Sequence, residues 1–250
     1  MAFKDHFSKL AGDYAKYRPH YPAELFAYLA AQVPAHDYAW DCATGNGQAA
    51  LTLTRHFNRV IATDASARQI MQAKPHKQIT YVVTPGEQAP LASHTIDLIT
   101  VAQALHWFNL DLFYAEVKRV LKPEGALAVW CYDLLRISPE IDAVLHDFNE
   151  NIIGPCWPPE RYWVGNHYAD LPFPFLEQKA PTFQMEARWR LDDLLGYLGT
   201  WSSTQAYLAQ HRADPVAQIA PKLAQLWGEG QKTKKICWPL YVRIGRAPHI

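Results

Sequence analysis

Trp40-Asp41-Cys42-Ala43-Thr44-Gly45-Asn46-Gly47 ends a short apolar run and leads into a helix-forming one, and Asp64 closes the next apolar run. Glycines at 45 and 47 permit backbone conformations and a close approach that a Cβ would block. An acidic side chain about 20 residues further on can accept both hydroxyls of a ribose. The stretch therefore reads as a strand, a tight turn and a helix built around a nucleoside cofactor.

Two cofactor classes compete for this loop. Gly45-Asn46-Gly47-Gln48-Ala49-Ala50 formally satisfies the dinucleotide fingerprint, with alanine in its third position. A dinucleotide turn holds a pyrophosphate at its helix N-terminus, however, and Asp41 would put negative charge close to those phosphates. S-adenosylmethionine has no phosphate, and its amino acid end carries an ammonium as well as a carboxylate. On this reading the ammonium sits against the loop near Asp41 and the ribose against Asp64.

The wider pattern alternates strand and helix. Residues 38–42, 59–63, 79–83, 96–101 and 126–132 read as strands, the short branched runs among them being too brief for buried helices. Helices are expected over 48–57, over 67–73 and from Asp111 onward, where Phe113, Val117, Val120 and Leu121 recur at helical spacing before Pro123 and Gly125. Ser138 is placed to cap a further helix with Pro139 in its first position. Prolines and aromatics crowd 155–175 with little periodicity; 182–190 reads as a sixth strand, 191–227 as helices, and 236–244 as a last strand. These expectations give an α/β fold, a doubly wound sheet with ligands at the strand C-terminal ends.

From these residues the chain resembles the class I S-adenosylmethionine-dependent methyltransferases, in particular the type 11 group and its trans-aconitate methyltransferase-like subgroup. The family loop runs acid, any residue, Gly, any residue, Gly, any residue, Gly; Ala43 departs from it in the first glycine position. Pro85-Gly86-Glu87-Gln88-Ala89-Pro90-Leu91 is similar to the segment beside adenine, though Pro85 stands where an acid is common, which shifts recognition to the backbone of Gly86 and Glu87. Ala102-Gln103-Ala104-Leu105-His106-Trp107-Phe108 is similar to a subgroup signature after the fourth strand. Tyr14-Ala15-Lys16-Tyr17-Arg18-Pro19-His20-Tyr21-Pro22 resembles the subgroup's N-terminal lid, and the segment from Tyr197 to Trp201 and Ser202 its distal substrate element.

The resemblance implies one Rossmann-like domain with a seven-stranded sheet whose last strand is antiparallel. Its parts would be a lid over 1–22, a cofactor core over 23–150, a helical cap with the sixth strand over 151–230, and the last strand over 231–250. Tyr14, Arg18, Asp41, Ala43, Thr44, Gly45, Gly47, Asp64, Ala65, Gly86, Glu87 and Gln103 would hold the cofactor. Tyr17, Tyr21, His106, Trp107 and Trp201 would face a small-molecule acceptor, with His106 and Arg18 orienting it; the product would be S-adenosylhomocysteine. A nicotinamide dehydrogenase would need a second mononucleotide half and a hydride-side acid or base, and the sequence shows neither. A protein that holds the cofactor without catalysis is the other alternative.

Bulk properties agree with this picture. The 250-residue chain is long enough to bury a full core, and its 24 Lys and Arg balance 24 Asp and Glu, leaving no charge excess for a nucleic acid backbone. No apolar run approaches the roughly 18 residues of a membrane helix, and charges at Lys4, Asp5 and Lys9 interrupt any signal-like apolar stretch. The expectation is a cytoplasmic monomer or homodimer. Cys42, Cys131, Cys156 and Cys237 show no paired spacing and read as reduced thiols rather than disulfides or metal ligands, and no histidine spacing suggests a metal.

Overall fold

The computed structural model describes residues 19–247. A helix, α1 (Ala23–Ala30), precedes the alternating core of β1 (Tyr38–Cys42), α2 (Gln48–Leu53), β2 (Arg59–Asp64), α3 (Ala67–Met71), β3 (Ile79–Val83), β4 (Ile96–Ala102), α4 (Leu110–Val120) and β5 (Leu121–Tyr132). Then come α5 (Pro139–Asp147), α6 (Arg161–Gly165), β6 (Leu176–Gln178), β7 (Phe183–Trp189), the helices α7 (Leu191–Gly199), α8 (Ser202–His211) and α9 (Pro215–Trp227), and finally β8 (Lys234–Arg246).

The sheet runs β3-β2-β1-β4-β5-β8-β6, with β7 also paired to β8. The strands from β3 to β5 are parallel, and β8 is antiparallel to β5, β6 and β7. Parallel strands covered on both faces are apolar throughout rather than alternating, which is why β1 and β4 are buried almost end to end. Along β5 the pleat sends Ala126, Ala128, Trp130 and Tyr132 to one core and Leu127, Val129 and Cys131 to the other. The first core is closed by α1, α2, α5 and the helices α7 to α9, the second by α4 and the segment from Val164 to Phe175. β1 lies between β2 and β4, so successive crossovers leave it in opposite directions and open a crevice at its C-terminal end.

Several boundaries differ from the sequence expectation. The sheet has eight strands rather than seven, because β6, three residues with Leu176 and Glu177 exposed, carries no pattern to announce it. β5 starts at Leu121 instead of 126, through Pro123 and Gly125, and its register against β4 shifts between Ile96 and Leu98. Gly125 permits this: a Cβ there would stand 3.0 Å from the carbonyl oxygens of Ile96 and Asp97. α2 ends at Leu53 rather than 57, although Phe57 stays buried. α4 begins at Leu110, with Asn109 rather than Asp111 opening it: the Asn109 side chain accepts from the Leu112 N–H. Ser138 stands at the N-cap of α5 without the expected cap bond; its hydroxyl acts on Glu140, while Asp142 takes the Ile137 N–H.

Candidate active site

The C-terminal ends of β1, β2 and β4 converge on the glycine loop. Ala43, Gly45 and Gly47 all have left-handed backbones, with φ of 55°, 58° and 84°. The loop thereby folds back on the sheet, where the Thr44 N–H donates to Thr63 O at 2.9 Å and the Gly47 N–H to Thr44 O at 3.0 Å. In front of Gly45 the space is open, the nearest atom to a would-be Cβ being 3.9 Å away. At Gly47 a Cβ would meet the Tyr81 hydroxyl at 2.5 Å. Ala43 occupies a conformation that alanine disfavours, so its departure from the family loop loads the backbone.

Asp64 braces the loop from the neighbouring strand. One carboxylate oxygen accepts the Gly45 N–H at 2.9 Å and the other the Ser66 N–H at 2.8 Å. Ser66 itself caps α3, and Ala65 between them is half-buried.

Asp41 is not presented to the crevice as the sequence suggested. It is 1% exposed, and its two oxygens accept the Thr44 hydroxyl at 2.5 Å and the Thr100 hydroxyl at 2.8 Å. Burial pushes its carboxyl up to about 6 against these hydrogen bonds. Its charge acts on the loop from beneath. The Gln103 side chain is likewise engaged within the protein: its amide donates to Tyr132 O at 3.0 Å and accepts the Tyr132 N–H at 2.8 Å, riveting the end of β4 to β5.

The loop after β3 closes a side wall. A Cβ on Gly86 would lie 2.7 Å from Cys42 Sγ and 3.3 Å from the Phe108 ring, so only glycine lets the loop rest on the end of β1. The Glu87 side chain accepts the Asn109 N–H at 2.9 Å, leaving the backbone of 86 and 87 as that wall's polar surface.

Beyond β4 and β5 lies a second set of groups. His106 sits in a single 3-10 turn, Leu105–Trp107, half-buried against the rings of Trp107 and Tyr168. Its Nδ1 is 2.8 Å from the Tyr168 hydroxyl, and burial together with the Arg161 charge pushes its pKa down to about 3. Arg161 pairs with Asp133 at the end of β5 and lies over the Trp157 ring at 5.1 Å, with Nη1 buried and without a hydrogen-bond partner. Tyr21 packs edge-on against Trp130, 5.4 Å between centroids. Just before it, Pro19 O accepts from the Gln48 side chain at 3.1 Å, which ties the N-terminal segment to the first turn of α2.

Tyr14, Tyr17 and Arg18 lie outside the described residues. Trp201 is 8% exposed and packs with Phe148, Trp157 and Tyr197 in the aromatic core of the cap. Sequence reasoning missed Thr63, Thr100, Asp133, Arg161 and Tyr168; all lie far in sequence from their partners, and none stands in a motif. Among the described residues there is no group of His, Cys, Asp or Glu able to hold a metal, and no helix long and apolar enough to cross a membrane. All four cysteines are free, Cys42 and Cys131 buried.

Known proteins are similar in sequence and in fold. The Methyltransf_11 family model, described as a methyltransferase domain, matches residues 40–129. A Dictyostelium discoideum protein described as a methyltransferase is 32% identical over 251 residues, covering 98% of this chain and 95% of its own. A solved structure described as a type II methyltransferase from Anaeromyxobacter dehalogenans is 44% identical with a TM-score of 0.88, over 93% of this chain and 99% of that one. A structure described as a methyltransferase from Bacillus halodurans, at 19% identity and a TM-score of 0.51, shares the fold.

Proposed function

The chain belongs to the class I S-adenosylmethionine-dependent methyltransferases, with S-adenosylmethionine as cofactor, and from that premise we propose that it methylates an ionised carboxylate oxygen of a small metabolite. The crevice fits the cofactor. Open space before Gly45 and the carboxylate of Asp64 beside it suit a ribose, the wall at Gly86 and Glu87 a flat base, and the buried charge of Asp41 an ammonium near the loop. The same buried charge disfavours the pyrophosphate of a dinucleotide. When bound, the cofactor supplies a methyl group made electrophilic by its sulfonium.

The observation that carries the acceptor reading is that, among the described residues, the groups around His106 offer no competent base. At a pKa of about 3 the imidazole is neutral but very weakly basic, and Asp133 is committed to Arg161. An acceptor deprotonated in place would need a base nearer neutrality. A carboxylate needs none, and positioning alone can lower the barrier by several kcal/mol. Arg161, and Arg18 from the lid, supply positive charge for such an acceptor; a guanidinium fork also fixes its direction. Residues 1–22 close over the site on this reading, with Tyr14 and Tyr17 shielding the sulfonium or the acceptor from water.

Radiolabelled methyl transfer to a panel of mono-, di- and tricarboxylates that includes trans-aconitate, set against alcohols and phenols of matching size, tests the proposal. Carboxylates should be the substrates, and His106→Asn should keep measurable activity at neutral pH. Turnover of phenols alone, abolished in His106→Asn and rising with pH through a group near 6.5, would overturn it. Calorimetry with S-adenosylhomocysteine against NAD tests the cofactor half independently.

A further inference from the structure

His167 and Tyr168 are consecutive residues with left-handed backbones, φ 55° and 60°, and neither is glycine. Such a pair is unfavourable in isolation and persists only where its surroundings over-determine it. They do so here. The His167 ring stacks on Tyr241 of β8 at 3.5 Å and 8°, while Arg243 of the same strand donates to the carbonyls of Tyr168 and Leu171, each at 2.8 Å. Arg243 is anchored in turn by Glu177. The result of this bracing is a fully buried Tyr168 whose hydroxyl meets His106 Nδ1 at 2.8 Å.

We propose that Tyr168 is a positioning residue that locks His106 in the Nε2–H tautomer, so that the acceptor subsite offers a hydrogen-bond donor and takes an oxygen that is already ionised. The proton assignment follows from satisfying buried groups. Were Nδ1–H to donate to the phenol, the phenol's own proton would be left buried without an acceptor, because among the described residues Nδ1 is the acceptor that its hydrogen bonds show. The backbones of His106 and Leu105 also act on the phenol oxygen in the sense of N–H donors facing it, which leaves its O–H to point at Nδ1. Burial keeps that phenol protonated, well above its ordinary range.

The groups that act on the pair come from three directions. Arg161 of α6 faces His106, and Cys131 of β5 and Tyr21 face Tyr168. The cation disfavours an imidazolium and the burial disfavours any charge, so the imidazole works as a neutral donor. Nε2 has no hydrogen-bond partner among the described residues. The link from tautomer to acceptor rests on the proposed carboxylate reading; the tautomer itself does not.

Long-range proton–nitrogen spectra of the full chain with ring-labelled histidine test the tautomer directly, the His106 signals being assigned by their loss in His106→Asn. Wild type should show Nδ1 without a proton and Nε2 with one, unchanged down to about pH 5. In Tyr168→Phe the ring of residue 168 remains and the donor is gone, so Nδ1–H should appear in a substantial fraction of molecules. The acceptor KM, read with trans-aconitate, should rise about tenfold while S-adenosylhomocysteine affinity holds. An Nδ1–H tautomer in wild type, or a tautomer ratio that Tyr168→Phe leaves alone, would overturn the proposal. The wild-type spectrum decides even if the variant does not fold. Failure of the carboxylate reading would appear separately, as no methylation of any carboxylate by wild type alongside the expected spectrum.

Discussion

Replacing Asp41 by asparagine should make the protein more stable at neutral pH and poorer at binding its cofactor. The carboxyl is 1% exposed, and burial lifts it from the ordinary 3.8 to about 6. The folded state thus holds this proton more tightly than the unfolded one, so stability is greatest below the unfolded value and falls as pH rises toward the folded value. Above about 6 both states are ionised, and the accumulated loss is about 3 kcal/mol. Asparagine carries no charge to bury. It accepts through one atom rather than two, so either Thr44 or Thr100 must turn and accept from the amide, at a cost of about 1 kcal/mol. The net gain at pH 7 is about 2 kcal/mol, or roughly 4 to 8 °C in Tm for a chain of this size. Near pH 4 the two proteins should melt together. Thermal melts across pH 4 to 8 give the difference, and calorimetry with S-adenosylhomocysteine should show weaker binding once the negative charge beneath the loop is gone. Parallel pH profiles, or an asparagine variant that melts below wild type at pH 7, would refute the desolvation argument.

Asp64→Ala should weaken S-adenosylhomocysteine binding by about thirtyfold, the equivalent of about 2 kcal/mol, and lower Tm as well, because the Gly45 and Ser66 N–H groups lose their acceptor; wild-type affinity by calorimetry would remove Asp64 from the site. Gly86→Ala forces a Cβ to within 2.7 Å of Cys42 Sγ and should cost about 1 to 3 kcal/mol in denaturant unfolding. Adding Cys42→Ala should return part of that loss, and a double variant no more stable than Gly86→Ala would show that the sulfur is not the obstacle.

The cofactor half was legible because its chemistry and its fold are specified locally. β1 and β3 have the bounds expected from the sequence, since each is a short, largely apolar run set between turn residues, too brief for a helix. Gly45 and Gly47 announce the turn because their conformations favour glycine. The acceptor half was not legible for the opposite reason. Tyr168 meets His106 across 62 positions and Arg161 meets Asp133 across 28, so each pair exists only after the chain has folded. Asp41 and Gln103 were identified as site residues, but no pattern could say that their side chains are spent on Thr44, Thr100 and Tyr132.

Backbone strain draws these two halves together. Of the six non-glycine residues with left-handed backbones among the described residues, Ala43, Gln103, His167 and Tyr168 belong to the segments that form the crevice and its acceptor side. Each is pinned by something nearby: Ala43 by the loop bond of Thr44 to β2, Gln103 by both backbone groups of Tyr132, and the pair 167–168 by Tyr241 and Arg243. Strain of this kind costs on the order of 1 kcal/mol or more per residue and survives where packing leaves no alternative. The pinning groups come chiefly from the sheet, on β2, β5 and β8. The sheet therefore does more than carry the loops. Its strands hold four unfavourable conformations in place, and with them the direction of the glycine loop, the junction of β4 with β5, and the hydroxyl that meets His106.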